Sequence, residues 1–452
     1  MDFTGSMIRH VAFPLMERVK GNHIRQNVGE LQRSQALQLT DLENLQKDRL
    51  RRLLQHAVAH VPAYREFTSL MPLIEQEPLA ALARFPVLTK DAFRENSEPY
   101  FSETADRNTC ILNRTGGSTG KPLTFYMDRH TVEYYEAARY RGLSWSNIKI
   151  GDPCVMIWGS PIELSQQAQR KQRIKERFLK NRIVIPAFNL RKDDLPQYVE
   201  TIESFRPVYI YGWATALALF ASFMLEKGIR LTVPLKAVVN TAETLYPHQR
   251  DLISQAFGCP VINEYGARDG GIIAYECSHG HLHLSVENAA YEVVDMLTLE
   301  PVAQGQKGLL LVTDLHNYVM PRLRYQLGDV VTMSAKPCSC GITLPTIENI
   351  EGRENDTFVA LDGSFINGQY FTNVARTLPS VKQFQVIQQN PDYVLLRLVD
   401  HDGLKDEDIR SFVDGITSRM GNVQIKVDRV DAIAPADSGK LRAAIRAFPL
   451  TR

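Results

Sequence analysis

Between about residues 108 and 350, short runs rich in β-branched and aromatic residues alternate with helical patterns, and this alternation constrains the fold more than any other feature. Cys154–Trp158, Val208–Tyr211, Ala237–Asn240, Val261–Tyr265 and Gly308–Thr313 are strand-like runs dominated by apolar residues. Strands buried on both faces read this way, because neither side of the sheet meets water. Helical patterns at 130–142, 214–227 and 247–257 fall between several of them. Together they predict an α/β core with buried sheets.

Composition supports a globular chain. Apolar residues make up 44% and charged residues 23%, enough apolar side chain to offset the ordering entropy that keeps polar chains unfolded. Lys+Arg (52) nearly balances Asp+Glu (51), which argues against a nucleic-acid binder or an acidic tail. Six cysteines in 452 residues are too sparse for a disulfide scaffold. The N-terminus lacks the apolar core of a secretory signal. These features lead us to expect a cytoplasmic protein with reduced thiols.

No charge falls between Arg206 and Glu226. The stretch reaches membrane length only marginally, and Gly212-Trp213 breaks it. A buried strand, a turn and an apolar helix explain it better than a membrane span.

The first 105 or so residues read as helical. Leu42, Leu45, Leu50, Leu53, Leu54 and Ala57 recur at helical spacing, Pro62 stops that helix, and Thr89 is placed to cap another with Phe93 on its apolar face. After Gly352-Arg353 the texture changes. Two paired strands (384–389, 393–399), a helix (406–420) and a further strand (423–427) predict a small α+β unit at 353–452. Residues 170–182 are rich in positive charge and read as a solvated helix face ahead of an anion site.

The strongest local signal is Arg114-Thr115-Gly116-Gly117-Ser118-Thr119-Gly120-Lys121-Pro122. Three glycines let backbone N–H groups approach an anion, and two hydroxyls and a lysine add donors. Pro122 after the lysine excludes a Walker A loop. On these residues alone, phosphate binding and a plain flexible turn both stay open.

Further motifs give this loop a context. Asn240–Leu245, Asn263–Asp269, Arg324-Tyr325-Gln326-Leu327-Gly328-Asp329, Glu351-Gly352-Arg353 and Ser438-Gly439-Lys440 follow it in order. With the loop, this series resembles the motifs of adenylate-forming enzymes, the acyl-CoA synthetase and ligase superfamily. Leu53–Ala57, Val61–Arg65 and Phe85-Pro86-Val87-Leu88-Thr89-Lys90 narrow the resemblance to the phenylacetate–CoA ligase branch, which includes members encoded with capsular polysaccharide genes. The resemblance spans nearly the whole chain. It implies a large α/β N-terminal domain at 1–352 and a small mobile α+β C-terminal domain at 353–452, hinged near Gly352–Asp356.

The resemblance also implies roles. Adenylation sets a carboxylate against the α-phosphate of ATP, so donors and Mg²⁺ must screen two approaching anions. Thr115 to Lys121 would hold the leaving phosphates. Asp329 would accept hydrogen bonds from both ribose hydroxyls, as an acceptor-only carboxylate suits a diol. Tyr265 and Gly266 would pack on the adenine, with Glu243, Glu264 and Arg353 also at the nucleotide. For Glu243, a helix N-terminal carboxylate is an equal alternative. Asp269 stands where the family usually has Glu as the Mg²⁺ ligand, and Arg268 would contact phosphate. Lys440 would be the mobile catalytic cation of the first half-reaction. The acyl pocket would involve Trp158, Gly159, Tyr211, Trp213 and Gly271, and no buried cation for a second carboxylate is evident.

Cys338-Ser339-Cys340-Gly341 reads as half of a zinc ribbon. Cys277 and one histidine of His279, His281 and His283 would complete a closed Cys₃His site for structural Zn²⁺. The resemblance points to His283, with His281 second. The expected reaction is ATP-dependent adenylation of a carboxylic acid followed by transfer to the CoA thiol. An amine, a sugar amine or a carrier-protein thiol remains open as acceptor, and so does a homodimer. A non-catalytic nucleotide-binding homologue is the reading of another class, and retention of Asp329 and Lys440 speaks against it.

Overall fold

The computed structural model describes residues 3–114, 123–158, 176–187, 194–353, 357–363, 365–378, 380–381, 383–399, 403–434 and 442–448. Helical segments fill the first hundred residues, as expected. The longest, Leu39–His60, buries Leu42, Leu50, Leu53, Leu54, Ala57 and Val58 along one face and ends two residues before Pro62. Thr89 caps the helix Lys90–Glu95, its hydroxyl accepting from the Ala92 N–H at 3.1 Å.

A hairpin, β1 (Ile111–Arg114) and β2 (Thr124–Met127), precedes the main sheet. That sheet is built from β3 (Cys154–Trp158), β4 (Arg182–Pro186), β5 (Tyr209–Trp213), β6 (Ala237–Thr241), β7 (Val261–Ala267), β8 (Gly271–Glu276), β9 (Leu282–Leu284), β10 (Ala289–Val294), β11 (Lys307–Asp314), β12 (Tyr325–Met333) and β13 (Thr346–Arg353). Its order is β10-β11-β12-β13-β9-β8-β7-β6-β5-β3-β4. From β4 through β3, β5 and β6 to β7 the pairs are parallel; beyond β7 they are antiparallel.

Every residue of β5 and β6 is buried. This is the reason their sequences do not alternate: both faces are covered. One face carries Val155, Ile157, Ile210 and Val238 against the helices Leu195–Phe205, Ala214–Glu226 and Pro247–Phe257. The other carries Cys154, Tyr209, Tyr211 and Val239 against Ile24–Ser34 and Arg129–Ser144. The uncharged stretch after Arg206 is therefore β5 and the helix that follows it. Among the described residues, no helix is long and apolar enough to cross a membrane.

The C-terminal residues form a short hairpin, β14 (Thr357–Val359) with β15 (Phe365–Asn367), and a four-stranded sheet. That sheet contains β16 (Phe384–Asn390), β17 (Tyr393–Val399), β18 (Gln424–Val430) and β19 (Ala444–Arg446), in the order β18-β17-β16-β19. The helix Asp406–Met420 packs Phe412, Ile416 and Met420 into its own core with Phe358, Phe371, Val386 and Leu396. β14, β15 and the helix Gln369–Arg376 had no counterpart in the sequence reading, and neither did β19. Its three residues pair in parallel with β16 at Val386–Gln388, a run too short to show a period.

Candidate active site

The parallel strands β5, β6 and β7 end beside the turn that leads into β8, where sheet direction reverses. Open α/β sheets bind ligands outside the carboxyl ends of their parallel strands. Two glycines shape the turn. A Cβ on Gly266 would fall 2.8 Å from the Gly271 carbonyl oxygen, and one on Gly271 would fall 2.4 Å from the Tyr135 ring, at φ +71°. Gly271 is thus packed on an aromatic ring from the helix Arg129–Ser144.

β12 crosses behind this turn and supplies its polar contacts. The Tyr265 hydroxyl donates to Asp329 Oδ2 at 2.7 Å, so two residues expected at the nucleotide meet although they lie 64 positions apart. Asp329 also pairs with Arg353 through the β12–β13 backbone register. Arg268, exposed, donates to the Arg114 carbonyl at 3.1 Å. It therefore stands at the root of the glycine-rich loop.

Asp269 points inward, its side chain 4% exposed. Lys90 Nζ lies 3.1 Å from its Oδ2, the Tyr325 hydroxyl donates to the same oxygen at 2.8 Å, and Arg322 Nη2 donates to its backbone carbonyl at 3.0 Å. Burial pushes its carboxyl up, but the charges of Lys90 and Arg322 and the Tyr325 bond outweigh burial and hold it at about 2. Lys90 reaches this point because Leu88 bridges to Tyr325: its N–H donates to the Arg324 carbonyl, and its own carbonyl accepts from Gln326. Lys90 was visible in the sequence as part of the Phe85–Lys90 stretch, but nothing there links it to Asp269.

Glu264 faces away from this cluster. Buried on β7, it accepts from the Tyr211 hydroxyl at 2.6 Å and Thr241 at 3.2 Å, and it pairs with Arg139 at 3.2 Å. Trp158 packs against Tyr211 and Trp213, with ring centroids 5.9 and 5.5 Å apart. The Trp213 indole N–H is buried and unpartnered among the described residues. The proposed acyl-pocket aromatics are thus adjacent and lie beside a polar network. Arg139 lies under Tyr211, and Arg182, whose Nη1 reaches the Met156 sulfur at 3.5 Å, lies beside it. Both sit at positions whose neighbours only the fold supplies.

Glu243 makes a contact at a helix N-terminus. Its Oε2 accepts from the Thr215 backbone N–H at 2.9 Å and hydroxyl at 2.7 Å, at the start of the helix Ala214–Glu226.

The Cys/His residues converge. One ligand atom from each of Cys277, His283, Cys338 and Cys340 lies within 4.8 Å of the others. Cys277 Sγ is 3.8 Å from Cys338 Sγ, and Cys340 Sγ is 3.3 Å from His283 Nε2. His283 Nδ1 bonds the Leu344 carbonyl at 2.9 Å, which fixes the proton there and leaves the Nε2 lone pair facing the thiols. His281 Nδ1 lies 3.4 Å from Cys338 Sγ but outside the foursome. All six cysteines are free thiols, and three sulfurs with one imidazole fit tetrahedral zinc.

Thr115, Gly116, Gly117, Ser118, Thr119, Gly120, Lys121, Gly159 and Lys440 lie outside the described residues, as does the Arg353 side chain.

Comparison with known proteins agrees with this geometry. The structure of 2-hydroxyisobutyryl-CoA ligase in the postadenylation state superposes with a TM-score of 0.69 at 19% identity, covering 92% of this chain and 91% of that one. The chain therefore has the fold of the adenylate-forming ligases. Within that class it is a homologue of CapK and of the phenylacetate–coenzyme A ligases. It is 26% identical to Protein CapK of Staphylococcus aureus over 90% of this chain and 89% of the relative. To phenylacetate-coenzyme A ligase of Thermus thermophilus it is 24% identical over 70% and 72%. Residues 358–447 match the CapK C-terminal domain.

Proposed function

We infer that the chain is an AMP-forming carboxylate ligase: it joins a carboxylic acid to AMP, releasing pyrophosphate, and passes the acyl group to the thiol of CoA. The observation that carries this reading is the Tyr265–Asp329 pair at the carboxyl end of β7, beside the root of the glycine-rich loop. We assign Asp329 to the ribose diol, with Tyr265 holding the carboxylate in place and its ring against the adenine. Thr115–Lys121 would bind the phosphates and Arg268 would assist from the loop's root. Asp269 is the carboxylate we assign to Mg²⁺; its Oδ2 is shared with Lys90, so metal and ammonium compete for it. Lys440, brought in by the C-terminal domain, would screen the carboxylate from the α-phosphate as they approach.

Trp158, Tyr211 and Trp213 would flank the acyl group, with Arg139 and Glu264 as its polar floor. Cys277, His283, Cys338 and Cys340 would hold one Zn²⁺. The site is closed by four protein ligands, so the metal ties β9 to the turn after β12 and takes no part in the reaction. Six free thiols suit a reducing compartment, which supports a cytoplasmic location.

The test is ATP–pyrophosphate exchange with a panel of aryl, hydroxy and short-chain acids. Exchange that depends on one acid class supports the reading. Tight ATP binding with no exchange for any acid would instead indicate a nucleotide-binding homologue. A second reading, transfer to an amine or sugar amine, draws support from the CapK-type C-terminal domain. Offering the preformed acyl-adenylate CoA and amines in parallel separates the two.

A further inference from the structure

The N-terminal helical segment Phe3–Lys20 is apolar on both sides. Inward, Ile8 and Phe13 are buried, and Met16 packs with Phe13 on the core formed with Ala137 and Ile148. Outward, Met7, Val11, Leu15 and Val19 are 51, 57, 59 and 79% exposed. They recur every four residues, and the π-turn Ile8–Ala12 keeps the first two in line. A surface helix ordinarily turns a polar face to water; this one turns a continuous apolar stripe.

The charges on that face have one sign. Arg18 and Lys20 are exposed, and Arg129 stands beside Gly21 at the segment's end. The one acid between residues 3 and 20, Glu17, is turned inward and bonded to Arg25. A second element extends the pattern. Phe178 is 69% and Leu179 37% exposed, with Arg177 exposed beside them. The 150–152 loop joins the two: Arg9 bonds the Ile150 carbonyl and Asp152, and Asn181 Nδ2 bonds the Gly151 carbonyl at 3.0 Å. The acids here are engaged, Asp152 with Arg9 and Lys236 and Glu176 with Lys180.

We propose that this face docks the protein on an anionic lipid surface. The apolar stripe would enter the headgroup boundary while the flanking cations meet lipid phosphates. Charge complementarity selects this occupant over a second copy of the chain: a two-fold contact would bring the same cation-bearing face against itself, and the described residues of both segments offer no unengaged acid to answer it. This is peripheral docking, and it makes no use of the catalytic residues assigned above.

The test uses the full chain with sedimenting vesicles of phosphatidylcholine alone and of phosphatidylcholine with phosphatidylglycerol at about two to one. We expect partitioning about tenfold stronger on the anionic vesicles, weakening with added salt. The double variant V11E/L15E should cut it by about tenfold or more while keeping the wild-type melting temperature and pyrophosphate exchange. V11Q/L15Q, which adds no negative charge, should lose less but still bind more weakly than wild type. Equal binding to both vesicle types, or anionic binding unchanged in V11E/L15E, overturns the proposal. So does a wild-type dimer by light scattering that V11E/L15E makes monomeric, without vesicle binding by either.

Discussion

Replacing Lys90 with methionine should destabilise the protein and reverse the pH dependence contributed by Asp269. The Asp269 side chain is 4% exposed, with Lys90 Nζ 3.1 Å away. Its carboxyl is held at about 2 against an ordinary 3.8, a depression worth roughly 2.5 kcal/mol at 1.36 kcal/mol per unit. Because the folded value is depressed, that stability is present above the unfolded value and is lost as pH falls through about 2. Lys90 is the largest of the interactions opposing burial. Without it, burial works against a carboxylate supported only by Arg322 and Tyr325. Stranding one partner of a buried pair costs about 3–5 kcal/mol. Lys90 is itself 29% exposed, so solvent screening brings the expected cost below that range, to about 2–3 kcal/mol at pH 7. The Asp269 carboxyl should then titrate above its ordinary range, and the variant should lose stability as pH rises through that value. The deficit relative to wild type should accordingly shrink between pH 7 and pH 4.5. Urea unfolding at both pH values, with slopes compared to confirm the same denatured state, measures this. The double variant K90M/D269N should recover part of the loss, since no buried charge remains unpaired. A Lys90→Met deficit below about 0.5 kcal/mol, equal at both pH values, would refute the argument.

Cys338→Ser should lower zinc content and thermal stability together, because the metal's binding energy contributes to folding; elemental analysis of protein purified without added metal gives the reference, expected near one zinc per chain. Asp329→Asn should raise the KM for ATP by about tenfold or more, whereas Tyr265→Phe, which frees Asp329 Oδ2 without removing it, should raise it less. Lys440→Ala should reduce pyrophosphate exchange by about two to three orders of magnitude while leaving ATP binding largely intact, and wild-type exchange in that variant would remove Lys440 from the first half-reaction.

Much of the architecture was legible because it is written locally. Continuous apolar runs gave β3, β5, β6, β7 and β11, and the helix Pro247–Phe257 matches its expected bounds. Thr89 caps its helix as its position suggested. The short strand β19 was not legible, since three residues carry no period. The candidate site was legible as a set of motifs but not as a set of contacts. Asp269 was readable as a metal carboxylate, yet its inward orientation comes from Lys90 and Tyr325, on two other segments. Glu243 had two local readings, and its contact with Thr215, 28 positions away, was not legible in either.

The sequence by itself determined which segments become strands and helices, and which residue types could hold zinc. Those properties depend on side-chain chemistry and on neighbours within a few positions. Only the tertiary structure decided that His283 and not His281 faces the three thiols. Both histidines have the same local chemistry, and the choice was made by the pairing of His283 with Thr346 across β9 and β13 and by the Leu344 carbonyl that holds its Nδ1. The tertiary structure likewise set Arg139 beneath Tyr211 and left Met7, Val11, Leu15 and Val19 in solvent. An apolar residue in a helix is a core candidate from sequence, and which of a helix's two apolar sides finds a core depends on what the rest of the chain brings to it.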